Sequence, residues 1–84
     1  MTLKLIDDYL NKKIRDSEEY FVISFFDLRV KFNLSKEDTA VFLNLSVIRL
    51  QNIGYRVYLT NQEYDYHGEH RVVKSNELLV AIKK

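Results

Sequence analysis

With 84 residues the chain is long enough for one hydrophobic core and too short to divide its apolar residues between two. At 46% hydrophobic and 30% charged residues it lies outside the low-hydrophobicity, high-charge signature of disorder, and its lack of cysteine excludes disulfides and thiolate metal sites. A net charge of +1 gives no bulk attraction for nucleic acid, so any basic surface has to be local.

The chain opens on "MTLKLIDDYLNKK", in which Asp7 and Asp8 interrupt the apolar pattern, unlike a secretion signal. No apolar run approaches the ~18 residues of a membrane span. The sequence therefore reads as cytoplasmic, with no membrane partner. Within this stretch Leu3, Ile6, Tyr9, Leu10 and Ile14 recur at helical spacing between charged residues, which predicts an amphipathic helix over residues 2–16 with Thr2 as N-cap. "DSEE" breaks the pattern, and "YFVIS" follows as a short strand.

Residues 25–33, "FFDLRVKFN", fit two periods. Phe26, Leu28, Val30 and Phe32 alternate with Asp27, Arg29 and Lys31 as in a half-buried strand, while a helix would put Phe25, Leu28 and Phe32 on one stripe and Phe26 and Val30 to its side. Context favours the helix. Ser24 can cap it, and "KFNLSKED" reads as a helix end, a short turn and a new N-cap at Ser35 with Asp38 three residues on. The next helix runs from Lys36 to Ile53 and is stopped by Gly54.

"YRVYLT" then alternates as a strand. A turn at His67-Gly68 would fold the chain so that Val57 pairs with Leu78 and Tyr55 with Val80, with the tip beyond Leu59 and Asn76 projecting into solvent. A competing reading of "SNELLVAIKK" makes residues 76–84 a short helix capped by Ser75.

The resulting fold class is α+β, in the order helix, strand, helix, helix, strand, strand. That order, together with "FFDLRVKFNLSKEDTAVFLNLSVIRLQNIGYRV", resembles a winged helix domain: Leu43, Val47, Leu50, Gly54 and Tyr55 match the family's core and closing positions in the third helix and the first wing strand. The resemblance covers roughly Leu3 to Ile82. It implies a third helix that enters the major groove of double-stranded DNA, phosphate contacts from the wing, and a role in transcription regulation. The residue set it points to is Arg29, Lys31 and Lys36 near the helix-turn-helix turn, Asn44 and Arg49 on the third helix, and Arg56, Tyr66, Arg71 and Lys74 on the wing.

The third helix departs from that pattern. At ~100° per residue Ala40, Leu43, Val47 and Leu50 form one stripe, and Val41, Leu45 and Ile48 lie nearly opposite, flanked by Asn44, Gln51 and Asn52. Groove reading wants polar and basic side chains outward, whereas this helix has aliphatics there and Glu37 and Asp38 at its amino end. Two readings of the second stripe stand: the helix is central and covered on both sides, or Val41, Leu45 and Ile48 form a protein interface. A chain this small gains burial by oligomerising, so a homodimer is the expected partner, beside double-stranded DNA or another protein.

The hairpin tip "EYDYHGEHR" mixes aromatics and cations as a phosphate-contacting wing would, or as a solvated turn does. His67 and His70 with Asp65 and Glu69 lack metal-ligand spacing, and no catalytic constellation or phosphate-binding glycine loop stands out. The expectations are no metal, no cofactor and no enzymatic activity. Two functions remain: a DNA-binding winged-helix regulator, or a winged-helix module that binds protein and not DNA.

Overall fold

The computed structural model describes residues 2–59, 62–63 and 78–84. In chain order these form helix α1 (Leu3–Asp16), strand β1 (Tyr20–Ser24), helices α2 (Phe25–Phe32) and α3 (Lys36–Asn52), and strands β2 (Tyr55–Leu59), β3 (Gln62–Glu63) and β4 (Leu78–Lys83). The fold is α+β in the expected order, with the two-residue β3 added.

Each helix begins on a hydroxyl. Thr2 Oγ1 accepts from the Leu5 amide at 3.3 Å, Ser24 Oγ from Asp27 at 3.3 Å and Ser35 Oγ from Asp38 at 3.1 Å, each satisfying an otherwise orphaned donor of the first turn. Ser24 is also the last residue of β1, so one residue ends a strand and starts a helix. The strand-like alternation of residues 25–33 is overridden by that cap. Phe25 and Leu28 are buried, Phe32 packs against the core, and Phe26 and Val30 are each 64% exposed.

The chain leaves α2 through Asn33, which is left-handed at φ 51 and ψ 50. Asparagine tolerates that conformation better than most residues. It lets the Leu34 amide donate to the Arg29 carbonyl at 3.0 Å and the Asn33 amide to that of Val30 at 3.4 Å, the paired bonds of a Schellman ending, while Leu34 packs against the core. The Arg29 Nε then donates to the Leu34 carbonyl at 3.3 Å, so one arginine closes the α2–α3 turn with both main chain and side chain.

Helix α3 buries Thr39, Phe42, Leu43, Ser46, Val47 and Leu50. On a 100° wheel that face is rotated by about 50° from the stripe of Ala40, Leu43, Val47 and Leu50. Two polar residues sit inside it because they bond locally: Thr39 Oγ1 donates to the Ser35 carbonyl and Ser46 Oγ to that of Phe42, both at 2.7 Å. Gly54, at φ 100, ends the helix and turns the chain into β2.

The sheet is antiparallel in the order β1-β4-β2-β3. Strand β4 therefore lies in the middle, which excludes the alternative of a last helix. Its register corrects the expected hairpin: Val57 pairs with Ala81 and Tyr55 with Lys83, three residues beyond Leu78 and Val80. The odd shift reverses the faces of β4, burying Leu79 and Ala81 and leaving Leu78 45% exposed. The inner face consists of the rows Phe21–Ala81–Val57 and Ile23–Leu79–Leu59, all buried. Against it pack Ile6 and Leu10 of α1, Phe25 and Leu28 of α2, and Phe42, Leu43, Val47 and Leu50 of α3.

Candidate functional site

The cations that could face a nucleic acid are mostly held by their own chain. Arg29 closes the α2–α3 turn as above. Arg49 on α3 reaches α1 and pairs with Asp7, Nε to Oδ1 2.9 Å, at a half-exposed position. The Lys31 Nζ lies 5.4 Å from the ring centroid of Tyr9 and 5.8 Å from that of Phe32, on the α1 side of α2. Lys36 is exposed on the first turn of α3, next to Glu37 and Asp38. Arg56 projects from β2 with its guanidinium carbon 5.6 Å from the Tyr58 ring centroid. Tyr66, Arg71 and Lys74, the expected wing contacts, and the tip histidines lie outside the described residues.

Asn44, the polar group nearest the middle of α3, is half-buried, and its side-chain oxygen is buried without a hydrogen-bond partner among the described residues. Bidentate recognition of adenine needs an asparagine's oxygen and amide nitrogen together at the surface. In this conformation the oxygen is withheld. The outward stripe around it is graded: Val41 is 45% exposed, Ile48 is half-buried, and Leu45 packs against the core.

The structure also assembles a basic cleft that periodicity could not foresee. Lys12 and Lys13 of α1 converge with Lys31 of α2 around a cleft of 260 Å³, beside Tyr9, Asp16 and Ser17. The Lys13 Nζ lies 5.8 Å from the Tyr9 ring centroid, so two ammonium groups flank one ring. Tyr9 also meets Phe32 and Phe42 edge-on, at 5.6 and 5.7 Å, which anchors the cleft to all three helices. Burial pushes the Tyr9 phenol above its ordinary value of 10.0, and the Asp27 carboxylate adds to the rise.

A larger feature is the outer face of the sheet. Its rows are Tyr20–Ile82–Arg56 and Val22–Val80–Tyr58, with Ser24 beside Leu78. Tyr20 is 63% exposed, Leu78 45%, and Val22 and Ile82 38% each. No described helix covers this side. Its signal in the sequence is that "YFVIS" and "LLVAI" are apolar at nearly every position, as in strands covered on both faces.

Compared with known proteins, the chain matches no family model, no curated protein and no solved structure. Among the described residues no group of His, Asp or Glu side chains could hold a metal ion, and no helix is long and apolar enough to cross a membrane.

Proposed function

We propose that the chain is a winged-helix DNA-binding protein, a small cytoplasmic regulator of transcription that works as a homodimer and binds double-stranded DNA through its phosphates. The observation that carries this reading is the arrangement of α2, the tight Asn33-Leu34 turn, α3, and the strand pair β2–β4 that follows Gly54 directly. In that frame α3 is not the main reader of bases, since its outward surface offers Glu37, Val41, Ile48 and a turned-in Asn44. Phosphate contact falls to Lys36, to Arg56, to Arg71 and Lys74 between β3 and β4, and to the Lys12, Lys13 and Lys31 cleft. The reading predicts a mobility shift of duplex DNA at low ionic strength with a steep negative slope of log affinity on log salt. Replacing Arg71 and Lys74 with alanine should weaken binding on every sequence and reduce that slope by about two. Failure to shift duplex DNA at low salt would sink the proposal.

The engagement of Arg29 and Arg49 within the chain favours a second reading, a module that binds protein and not DNA through Val41, Leu45 and Ile48. Because Leu45 also packs against the core, Val41→Lys is the cleaner probe. It should abolish partner binding with an unchanged circular dichroism spectrum.

A further inference from the structure

We propose that the outer face of the sheet is the homodimer interface, occupied by the same face of a second copy related by a two-fold axis running along β4. The inference rests on the dimeric part of the proposed function and takes Arg56 for the interface, leaving the remaining phosphate contacts untouched. Its basis is the self-complementarity of the two rows.

Each row has a β1 end, an aliphatic middle on β4 and a β2 end: Tyr20–Ile82–Arg56 and Val22–Val80–Tyr58. A two-fold along the middle strand, lying between two stacked sheets, turns each row end for end onto its own copy. Tyr20 then lies over Arg56 of the second copy and Val22 over its Tyr58, while Ile82 and Val80 each meet themselves. Each contact within these two rows is favourable: a guanidinium on an aromatic ring, an aromatic on a β-branched chain, and aliphatic on aliphatic. An isologous interface requires this property, and an arbitrary partner would not. An axis perpendicular to the strands would instead carry β4 across the β4 of the second copy at the aligned-sheet spacing but bring the polar Ser24 end onto the Tyr20 row.

The size fits a reversible dimer. The six apolar side chains of this face expose on the order of 400 Å² per protomer, within the range of the largest patches on monomers and often functional ones. A standard interface buries ~800 Å² per partner, so this patch would be the apolar centre, with Arg56 and neighbouring polar groups as its rim. Sheets stacked this way lie ~10 Å apart.

Sedimentation velocity over a wide range of protein concentration tests the assembly. The wild-type chain should pass from monomer to dimer. Val80→Lys, which brings two ammonium groups together on the axis, should raise the dissociation constant at least about tenfold while keeping the native far-ultraviolet spectrum. Tyr20→Arg should weaken association by setting the introduced guanidinium against Arg56 of the second copy, and adding Arg56→Glu in the same chain should restore it, a rescue that a simple folding defect would not show. The chain has no cysteine, so Val80→Cys is a unique handle. A short bismaleimide should join two copies through it, and not through Val41→Cys on α3. A wild-type chain that stays monomeric at every concentration overturns the proposal, as does a Val80→Lys dimer or preferential linkage through position 41. DNA binding measured on the same samples fails or succeeds separately, so loss of the shift with the dimer intact counts only against the DNA reading.

Discussion

Both faces of the sheet carry large apolar side chains, the outer one with Arg56 and Ser24 among them, in opposite circumstances. The inner rows are aliphatic and aromatic and sit under three helices, while the outer rows hold comparable side chains, 38 to 63% exposed at Tyr20, Val22, Leu78 and Ile82. Burying a large apolar side chain is worth ~1.5–3 kcal/mol, and the outer face leaves much of that unrealised. The difference separates two jobs for the same chemistry: the inner rows hold the monomer together, and the outer rows are available for association.

Adjacent residues on β4 give the sharpest test, because Leu79 and Leu78 differ only in the face they occupy. Leu79→Ala should lower unfolding free energy by about 2–5 kcal/mol, the range for a buried leucine that leaves a cavity. Leu78→Ala, measured dilute enough to keep the chain monomeric, should change it by no more than about 0.5 kcal/mol. Equal losses in urea titrations would erase the distinction between the faces.

A smaller effect probes the joint that delivers β2 to the inner face. Gly54 has φ 100 and an added Cβ would meet nothing within 4 Å, so Gly54→Ala is strained by its backbone alone. It should cost about 1–2 kcal/mol, with no change in oligomeric state. A shift in sedimentation along with stability would mean that this joint also sets the outer face.

The smallest effect concerns pH. The Tyr9 phenol has its folded-state pKa raised by burial and by Asp27, so the folded chain holds that proton longer than the unfolded one. The stability it contributes is complete below the unfolded value near 10.0 and is lost as pH rises through the higher folded value. Thermal unfolding followed above pH 10.0 should therefore fall less steeply for Tyr9→Phe than for the wild type. Dimerisation through the outer sheet face should be indifferent to Tyr9→Phe at a fixed pH.

Much of the helical framework was legible because local chemistry announces it. Thr2, Ser24 and Ser35 each bond the amide three residues on, and those caps decide residues 25–33 against their own alternation. The alternation misleads because Phe26 and Val30 are apolar residues on the solvent side. Within α3 the apolar stripe misplaces the buried face by about 50°, since Thr39 and Ser46 read as surface residues until their hydroxyls are seen to bond the preceding turn.

The register of the sheet was not legible, for a related reason. Folding about His67-Gly68 assumes one uninterrupted hairpin, but β2 first pairs with β3, Tyr58 opposite Glu63 and Leu59 opposite Gln62. Nor could hydrophobic alternation reject the wrong register, because β4 is apolar on both faces and a shift of three residues leaves a plausible inner row. The candidate phosphate contacts came from resemblance, whereas the lysine cleft and the outer sheet face arise from pairings between distant segments.

The central place of β4 also sets the order in which the molecule can be built. Its pairing with β1 joins residues as far apart in sequence as Tyr20 and Ile82, so β1 and β2, which are not paired with each other and meet through the Phe21 and Tyr55 rings, have no shared strand partner until β4 is made. Helices α1 to α3 draw their own hydrogen bonds and caps from local residues, and on a ribosome they can form while both strands wait with their apolar sides open. The entropy of closing so long a loop therefore falls on the docking of β4.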